Sequence, residues 1–541
     1  MFLSRVMLAA GFCGWLLAPC APAAELDPQQ VTRRVDELLA QEMFGGDARS
    51  QPAPRSDDQT FLRRANLDLI GVPPSPEEIT AFALDASPDK RARVVERLLA
   101  SQRFGDNWAR YWRDVIMYRR TEDRALLAGP TLVAFLASAL NGNPRWDEIA
   151  RSFMTAAGDV RGNGATALIM AQMGSAEDTT AEVSRIFMGI QIQCAQCHNH
   201  PTDRWKREQF HELAAFFPRI SIRPVKVDGK RRSFAVVSVD RGGRKRPNNP
   251  RQGSLEHFMP DLDHPEQDGK LMTPVFFVTG QKLEAGVTDV ERREKIAEWI
   301  TARDNRWFAK AFVNRTWSEL VGRGFYEPID DIGPDRQCAA PETLDYLADR
   351  FAESRYDVKW LFRVITASEA YGRQSRSRTL DQAARFVASC PQRLRGDQLF
   401  NALVEVLDLP EEPPAPDGEN YRNALAGPRG QVNRTFGYDP SMLRDDVAGS
   451  IPQALFLMNS PELARAMGGR QRGTSLGRLL AEVPEDKDLV GELYLRCLAR
   501  EPKPTELATC LDHVRAADDR TEAYEDILWA LVNSTEFLNR K

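Results

Sequence analysis

The residues with the clearest chemical potential lie in QCAQCHNHPTDRW, residues 193–205. Cys194, Cys197 and His198 form the pattern C-x-x-C-H, and His200 follows two positions later. In such a pattern each thiol can form a thioether bond with a haem vinyl group, while the adjacent imidazole binds the iron. The spacing therefore predicts covalent haem c with His198 as its iron ligand.

His200 lies too close to His198 to reach the opposite face of the same haem. A second axial ligand would have to come from elsewhere in the chain, or the iron would be five-coordinate. The sequence offers five candidates for this ligand: Met173, Met188, His211, His257 and His264.

Two other chemistries are compatible with the cluster. Cys194, Cys197, either His198 or His200, and His211 could supply four ligands to zinc, although the His200–His211 spacing is unusual for a structural zinc site. The two thiols could instead form a redox pair or a disulfide, but no thioredoxin-like alternation of strands and helices surrounds them. The pattern favours haem over zinc, and zinc over thiol chemistry alone.

Carboxylates provide weaker candidates. Asp330 and Asp331 are adjacent and could act as an acid–base pair, which would make the chain a hydrolase. Asp261, Asp263 and Asp268 lie in an acidic loop that could bind Ca²⁺. The sequence has no G-x-S-x-G elbow, phosphate-binding loop or dinucleotide-binding fingerprint.

The N-terminus has the features of a secretory signal peptide over residues 1–24. Arg5 precedes a short uncharged apolar run, and residues 21–23 (Ala-Pro-Ala) provide a small-x-small cleavage site. We expect export to the periplasm or cell surface, with no transmembrane segment after cleavage. Disulfides persist outside the cytoplasm, and Cys497 with Cys510 is the expected pair.

Composition and charge narrow the class of protein. Of the 541 residues, 42% are hydrophobic and 28% are charged, which is ordinary for a globular protein. The formal net charge of −5 argues against a general nucleic-acid-binding protein. The length exceeds what one hydrophobic core usually organises, so two or more domains are expected.

Helical periodicity dominates the chain. Apolar residues recur at helical spacing in many segments, among them 28–44, 87–101, 290–302, 341–354, 357–371 and 522–537. Residues 222–239 alternate instead and contain Asp228-Gly229, which predicts a β-hairpin, and residues 271–280 predict one more strand. The predicted fold is mainly α, with two helical domains and a small β-containing insert between them.

The predicted domain boundaries follow from these elements. After the signal peptide come an N-terminal helix and linker (25–55), a helical domain with the C-x-x-C-H-x-H motif (56–220), the β-hairpin and loop insert (221–285) and a C-terminal helical domain (286–541). Lysine and arginine are abundant in the insert between Arg223 and Arg251. An acidic polymer is therefore one partner that the insert could bind.

Longer segments resemble a known family. FLRRANLDLIGVPPSPEEI, DKRARVVERLLASQRFGDNWARYWRD and CAQCHNHPTDRWKREQFHELAAFF are similar to the first of two tandem domains in planctomycete-type cytochrome-associated proteins. REKIAEWITARDNRWFAKAFVNRTWSELVGRGFYEPIDDIG, DVKWLFRVITASEAY and LFLMNSPELARA are similar to the second. In that family a cytochrome-c-like domain of unknown function precedes a C-terminal paralogous domain, also of unknown function.

The resemblance implies an exported, mostly helical protein whose relatives often carry or neighbour c-type cytochrome modules. The family motif C-x-x-C-H-x-H-P-x-D-x-W extends here to Asp203 and Trp205. This implies that His200 and Asp203 shape the pocket or move protons, since a carboxylate can orient a histidine ligand. Only one predicted helix precedes the first domain, so we expect the electron donor to be a separate redox partner protein.

Two functional hypotheses follow. The leading one is an exported mono-haem c-type cytochrome-like protein, in which electron transfer could be coupled to an extracellular oxidation. The competing one is a non-catalytic binding or scaffold protein whose Cys/His cluster holds a structural metal such as zinc.

Overall fold

The chain is mainly α-helical, as its periodicity predicts. The computed structural model describes residues 26–44, 51–227, 231–241, 255–284, 286–376, 385–410, 427–442 and 449–541. The predicted signal peptide, the Asp228-Gly229 turn and most of the basic segment of the insert lie outside these residues.

Sixteen helices form the first three quarters of the described chain. They are α1 (Pro28–Met43), α2 (Asp58–Ile70), α3 (Pro76–Leu84), α4 (Lys90–Ala100), α5 (Gln102–Met117), α6 (Gly129–Asn141), α7 (Trp146–Thr155), α8 (Ala167–Ala171), α9 (Ala176–Met188), α10 (Arg207–Ala214), α11 (Asp289–Ile300), α12 (Arg306–Val321), α13 (Pro341–Glu353), α14 (Val358–Ala367), α15 (Glu369–Gly372) and α16 (Gly396–Leu407). Further helices span Pro428–Phe436, Ile451–Asn459, Pro461–Met467, Ser475–Glu482, Asp486–Leu498, Pro504–Ala516, Arg520–Val532 and Thr535–Leu538. Short 3-10 helices span Asp123–Ala128, Gly164–Thr166 and Ile192–Gln196.

The strands form small antiparallel sheets. They are β1 (Gly158–Asp159), β2 (Ile220–Val227), β3 (Arg231–Ser238), β4 (Phe258–Met259), β5 (Lys270–Leu271), β6 (Val275–Phe276), β7 (Gln281–Lys282), β8 (Gln392–Arg393) and β9 (Asn539–Arg540). One sheet has the order β1-β3-β2, and the remaining strands pair as β4-β5, β6-β7 and β8-β9. The β2–β3 pair is the predicted hairpin, extended by a strand from the preceding helical segment.

The single strand predicted over residues 271–280 is wrong. The chain there turns back on itself between β6 and β7, because Gly280 adopts a left-handed conformation with φ of 76°. The Gly280 N–H donates to the Phe276 carbonyl at 2.8 Å. Glycine tolerates this conformation without a steric penalty, so the apolar run makes a tight hairpin in place of one extended strand.

The main hydrophobic core includes helices from both sides of residue 285. Trp112 of α5, Trp146 of α7 and Phe312 of α12 meet at its centre, with ring centroids 4.4 Å (Trp112–Trp146) and 4.5 Å (Trp146–Phe312) apart. Helix α1 joins the same core, where the Thr32 hydroxyl donates to the Val364 carbonyl of α14 at 3.1 Å. A second core draws mainly on residues 394–537. The predicted boundary at residue 285 therefore marks a change of secondary structure within one shared core.

One helical stretch, Asp123–Asn141, would be long and apolar enough to cross a membrane, judged by length and composition alone. Leu132, Leu136 and Leu140 of this stretch are buried in the main core. A core helix of a soluble protein has the same character.

Candidate functional site

Helix α9 leads directly into the Cys/His segment. The helix ends at Gly189, whose φ of 68° reverses the chain. A Cβ atom at Gly189 would also lie 2.7 Å from Ile332 Cδ1, so both the backbone conformation and the packing require glycine. The Ile332 N–H donates to the Gly189 carbonyl at 2.7 Å. The end of α9 is thus fixed against residues 325–338, which connect α12 to α13 and are called the 325–338 loop below.

Ser175 caps the start of the same helix, because its hydroxyl accepts the Asp178 N–H at 3.2 Å. We expect Ser175→Ala to lower the free energy of unfolding by about 1 kcal/mol, since the half-buried start of the helix loses an N-cap acceptor. Urea denaturation followed by circular dichroism measures the change. Ser138→Ala is the control, because Ser138 lies exposed within α6 and its replacement should change stability by less than about 0.5 kcal/mol. Equal changes in the two variants would contradict the capping role.

The Cys/His turn begins as the 3-10 helix Ile192–Gln196. Residues three apart eclipse one another in such a helix, and the burial follows this rule. Ile192 and Ala195 are buried, whereas Cys194 and Cys197 are exposed. The turn therefore presents both thiols to solvent while its apolar side anchors it to the core.

His198 is exposed, and its ring nitrogens have distinct roles. Its Nδ1 lies 2.7 Å from the Asn199 carbonyl oxygen. A carbonyl oxygen only accepts hydrogen bonds, so Nδ1 carries the proton and the neutral ring keeps the lone pair on Nε2. This is the tautomer that a metal-binding histidine adopts when its other nitrogen donates to a backbone carbonyl.

His200 has the opposite arrangement. The Thr202 backbone N–H donates to His200 Nδ1 at 3.3 Å, so the proton of the neutral ring lies on Nε2. The backbone N–H of His200 also donates to the Trp205 carbonyl at 2.8 Å, which closes residues 200–205 into a loop. The neutral His200 ring can therefore donate a hydrogen bond from Nε2, whereas Nε2 of His198 carries a lone pair.

The Asp203 side chain packs against the 325–338 loop. Its side chain is only 1% exposed, and Oδ1 accepts the Arg204 N–H at 2.7 Å. Its Oδ2 has no hydrogen-bond partner and faces Gly333 of the 325–338 loop, where a Cβ atom would lie 1.7 Å from it. The ring-orienting role that the resemblance implies for Asp203 is therefore not visible as a hydrogen bond to a histidine among the described residues.

His211 of α10 supports the turn from its buried side. Its Nε2 lies 3.0 Å from the Gln196 carbonyl, and its Nδ1 lies 2.8 Å from Nε2 of the buried His257. Because the carbonyl only accepts, Nε2 of His211 donates and Nδ1 accepts from His257. Glu177 follows at 3.9 Å from His257 Nδ1. Both ring nitrogens of His211 are thus hydrogen-bonded: Nε2 holds the turn, and Nδ1 is fixed by His257.

Burial lowers the pKa of His211 to about 4, because desolvation disfavours the charged ring. The unfolded chain therefore binds a proton between about pH 6.5 and 4 that the folded chain does not bind. Stability should fall as the pH drops through this window, with about 2 kcal/mol due to His211. Unfolding in urea at pH 7 and pH 4 measures the effect. His211→Gln keeps a donor for Gln196 without titrating, so its loss of stability should be smaller; an identical pH dependence would contradict this origin.

Within the described part of the chain, no three His, Cys, Asp or Glu side chains are grouped closely enough to hold a metal ion. The alternative zinc ligands illustrate the reason. Cys194 and Cys197 lie at the surface, while His211 is buried behind the turn with both ring nitrogens in use. The structure does not bring Cys194, Cys197, His200 and His211 together as a zinc site.

The five candidate distal ligands lie in different environments. His211 and His257 bind each other, and His264 is exposed beside Glu266 at 3.6 Å. Met188 is buried in the main core, and Met173 is half-buried against it. The two methionines are the candidates whose ligating atom is not already hydrogen-bonded to another histidine or close to a carboxylate.

Asp330 and Asp331 do not form a catalytic carboxylate pair, which corrects the sequence prediction. Asp330 is buried, with its Oδ2 2.9 Å from Arg185 NH1 and 3.3 Å from Arg315 NH2. Burial raises the pKa of Asp330, but the two guanidinium groups outweigh burial and hold this pKa well below its usual range. Asp331 pairs separately with Arg336, at 2.9 Å. Asp330 is therefore an ionised structural group that joins α9 to the 325–338 loop.

Three residues that no sequence motif identifies connect the Cys/His turn to the second half of the chain: Arg185, Gly333 and Arg336. Arg185 interrupts an otherwise apolar stretch at the end of α9, and a buried arginine needs a carboxylate partner. That interruption was the available signal. Gly333 and Arg336 carry no comparable local signal, because the residues of the motif that they contact, Asp203 and Thr202, are more than a hundred residues away.

Two weaker predictions concern the acidic loop and the pair Cys497 and Cys510. Asp261 Oδ1 accepts the N–H groups of Asp263 and His264, at 3.0 and 3.1 Å, so Asp261 makes a turn in the acidic loop. Cys497 and Cys510 are unpaired thiols, so the predicted disulfide between them is wrong. Burial raises the pKa of Cys497 to about 12, which makes its thiol unreactive at neutral pH.

Aromatic side chains surround the end of the motif. Trp205 packs edge-to-face on Phe277 of the insert and on Trp307 of α12, with ring centroids 5.2 and 5.9 Å apart. All three rings are half-buried. Through Trp205, the end of the motif therefore contacts both the insert and α12.

Two known protein families match the chain, one on each side of the β-containing insert. Residues 34–221 match the family described as PSCyt2, a protein of unknown function (DUF1549). Residues 292–514 match the family described as PSD1, also a protein of unknown function (DUF1553). No curated protein and no solved structure matches the chain.

Proposed function

Because this chain belongs to the planctomycete-type cytochrome-associated tandem-domain family, we propose that it is an exported, mono-haem c-type cytochrome-like protein that transfers electrons. Cys194 and Cys197 would hold haem c through thioether bonds, and His198 would bind its iron. The haem supplies a one-electron iron couple when bound.

The observation that carries the proposal is the arrangement of the turn. The 3-10 helix and its end expose both thiols while Ile192 and Ala195 are buried. His198 Nδ1 donates to a backbone carbonyl, which leaves Nε2 to bind a metal. Covalent attachment needs thiols that a haem can reach, and axial ligation needs this tautomer, so the residues present fit the group.

The neighbouring residues have supporting roles. His211 and Arg207 both donate to the Gln196 carbonyl, at 3.0 and 3.3 Å, and so fix the backbone between the two cysteines. His200 presents a protonated Nε2 beside His198, where it can donate to a ligand or relay a proton. A rigid backbone and a placed donor are the features by which a protein tunes such a site.

The site of electron exchange belongs at the surface around the turn. Cys194, Cys197 and His198 are exposed, and transient redox partners bind through small surface patches. We expect a separate redox partner protein to bind this surface outside the cytoplasm, in the periplasm or at the cell surface. Binding of an acidic polymer by the basic insert would be a separate property.

Covalent haem is tested by expressing the full chain in a host with c-type cytochrome maturation. The exported protein is separated on a denaturing gel and stained for haem peroxidase activity. We expect one stained band at the mature chain, absent from Cys194→Ala/Cys197→Ala. A variant with Cys497→Ala and Cys510→Ala is the matched control and should stain fully, because those thiols lie far from the turn in the second core.

An unstained wild-type chain would contradict the proposal. Stoichiometric zinc in that chain would then support the structural-metal hypothesis. The absence of both haem and metal would support thiol chemistry or a purely structural turn.

A further inference from the structure

The 325–338 loop holds the second half of the Cys/His motif through several polar contacts. Arg336 donates from NH1 to the Thr202 carbonyl at 3.2 Å and from NH2 to the Thr202 hydroxyl at 2.9 Å. Arg204 forms an ion pair with Asp335 at 2.7 Å. The two neighbours of Asp203 in the chain, Thr202 and Arg204, therefore both contact the 325–338 loop.

Asp203 itself is buried between these contacts. Its side chain is 1% exposed, and its Oδ2 faces Gly333 without a hydrogen-bond partner. The closest charged group to Oδ2 is the guanidinium of Arg336, at 3.9 Å from Nε. A buried carboxylate oxygen without a hydrogen bond lowers the stability of the fold. We therefore expect Asp203 to have a role that offsets this loss.

Only glycine at position 333 leaves room for this carboxylate. A Cβ atom there would lie 1.7 Å from Asp203 Oδ2 and 2.8 Å from Asp203 Cγ. Gly333 has no left-handed backbone conformation, since its φ is not among the positive values. The requirement for glycine at this position is therefore the space that Asp203 occupies.

A displacement of Asp203 would reach the histidines through a short connection. The His200 N–H donates to the Trp205 carbonyl, so Asp203 lies within a loop that this hydrogen bond closes. His198 directly precedes this loop, and its Nδ1 is held by the Asn199 carbonyl. The orientation of both rings thus depends on where Asp203 packs.

We infer that Asp203, packed against Gly333, is a positioning residue through which the second family domain sets the geometry of the Cys194–His200 turn. The haem-related part of this inference rests on the proposed function. The tandem domains then form one composite site, in which the PSD1 region contributes Gly333 and Arg336 to a motif located in the PSCyt2 region.

The experiment is a double-mutant cycle on the full-length exported chain. Gly333→Ala introduces a Cβ atom that displaces Asp203, Asp203→Ala removes the carboxylate, and the double variant removes the clash. Gly473→Ala is the control, because a Cβ atom there meets nothing within 4 Å. Two quantities are measured: the midpoint potential of the haem, and the rates at which iodoacetamide alkylates Cys194 and Cys197 in haem-free protein, resolved by peptide mass spectrometry.

We expect Gly333→Ala to change the redox equilibrium constant of the haem about tenfold, which is about 59 mV for a one-electron couple. The alkylation rates should change by about threefold or more, and the Gly473→Ala values should equal those of the wild type. The double variant should resemble Asp203→Ala, because the clash is gone. Loss of packing alone would lower the unfolding midpoint without moving a potential measured on folded protein.

Equal potentials and equal alkylation rates in wild type, Gly333→Ala and Asp203→Ala would overturn the inference. If Gly333→Ala does not fold, Asp203→Ala decides alone by the same two readouts. A wild-type chain without haem would overturn the proposed function, yet the alkylation rates would still support or overturn the positioning role.

Discussion

Asp330→Asn is expected to lower the free energy of unfolding by about 3–5 kcal/mol, because it leaves the buried Arg315 guanidinium without its carboxylate partner and leaves Arg185 with Glu182 alone. Asp330 is buried and receives hydrogen bonds from Arg185, Arg315 and Gln191. Asparagine preserves the shape of the side chain but not its charge. The loss therefore reports the ion pair itself, and equilibrium unfolding in guanidinium chloride or urea measures it.

The matched control is Asp335→Asn on the same loop. Asp335 pairs with Arg204 at the surface, where their side chains are 40% and 69% exposed. Exposed pairs of this kind contribute about 0–1 kcal/mol. Similar losses of stability in the two variants would show that the buried ion pairs of Asp330 contribute no more than an exposed pair. They would also show that α9 does not depend on Asp330 for its attachment to the 325–338 loop.

The second large effect concerns the two histidines. His198→Ala should keep the covalent haem but lose the imidazole–iron bond, because only His198 combines the adjacent position with a free Nε2 lone pair. We expect the redox equilibrium constant to change by about a hundredfold or more, about 120 mV for a one-electron couple. The visible spectrum of the reduced protein and a potentiometric titration measure the change.

His200→Ala is the control for this prediction. His200 offers a protonated Nε2, so its loss should leave the iron ligands and the spectrum unchanged and move the potential by a smaller amount. A His200→Ala spectrum that matches His198→Ala would show that the tautomers inferred from Asn199 and Thr202 do not govern ligation.

The sequence predicts a large part of the fold. Helices with clear periodicity occur where expected, and the β2–β3 hairpin follows from alternation. The strand over 271–280 was wrong because one glycine, Gly280, turns an apolar run back on itself. Apolar content alone does not distinguish an extended strand from a tight hairpin.

The candidate site shows a similar limit. Local spacing identifies Cys194, Cys197 and His198, because thioether attachment and ligation need neighbours in sequence. The contacts that hold them, such as Asp203 on Gly333 or Arg185 with Asp330, join distant segments. Long-range packing has no periodic signature in one sequence, so it becomes visible only in the folded chain. The same applies to His211, whose hydrogen bond to His257 joins residues 46 positions apart.

We propose that Cys194 and Cys197 carry one haem, and the intact mass of the exported chain shows directly whether they do. The full chain is produced with c-type maturation, purified from the exported fraction and measured by denaturing mass spectrometry, followed by peptide mapping. We expect the mass to exceed that of the signal-cleaved polypeptide by one haem. Peptide mapping should place this haem on the peptide that contains both cysteines. A mass equal to that of the polypeptide alone, with Cys194 and Cys197 recovered as free or disulfide-bonded residues, would contradict it.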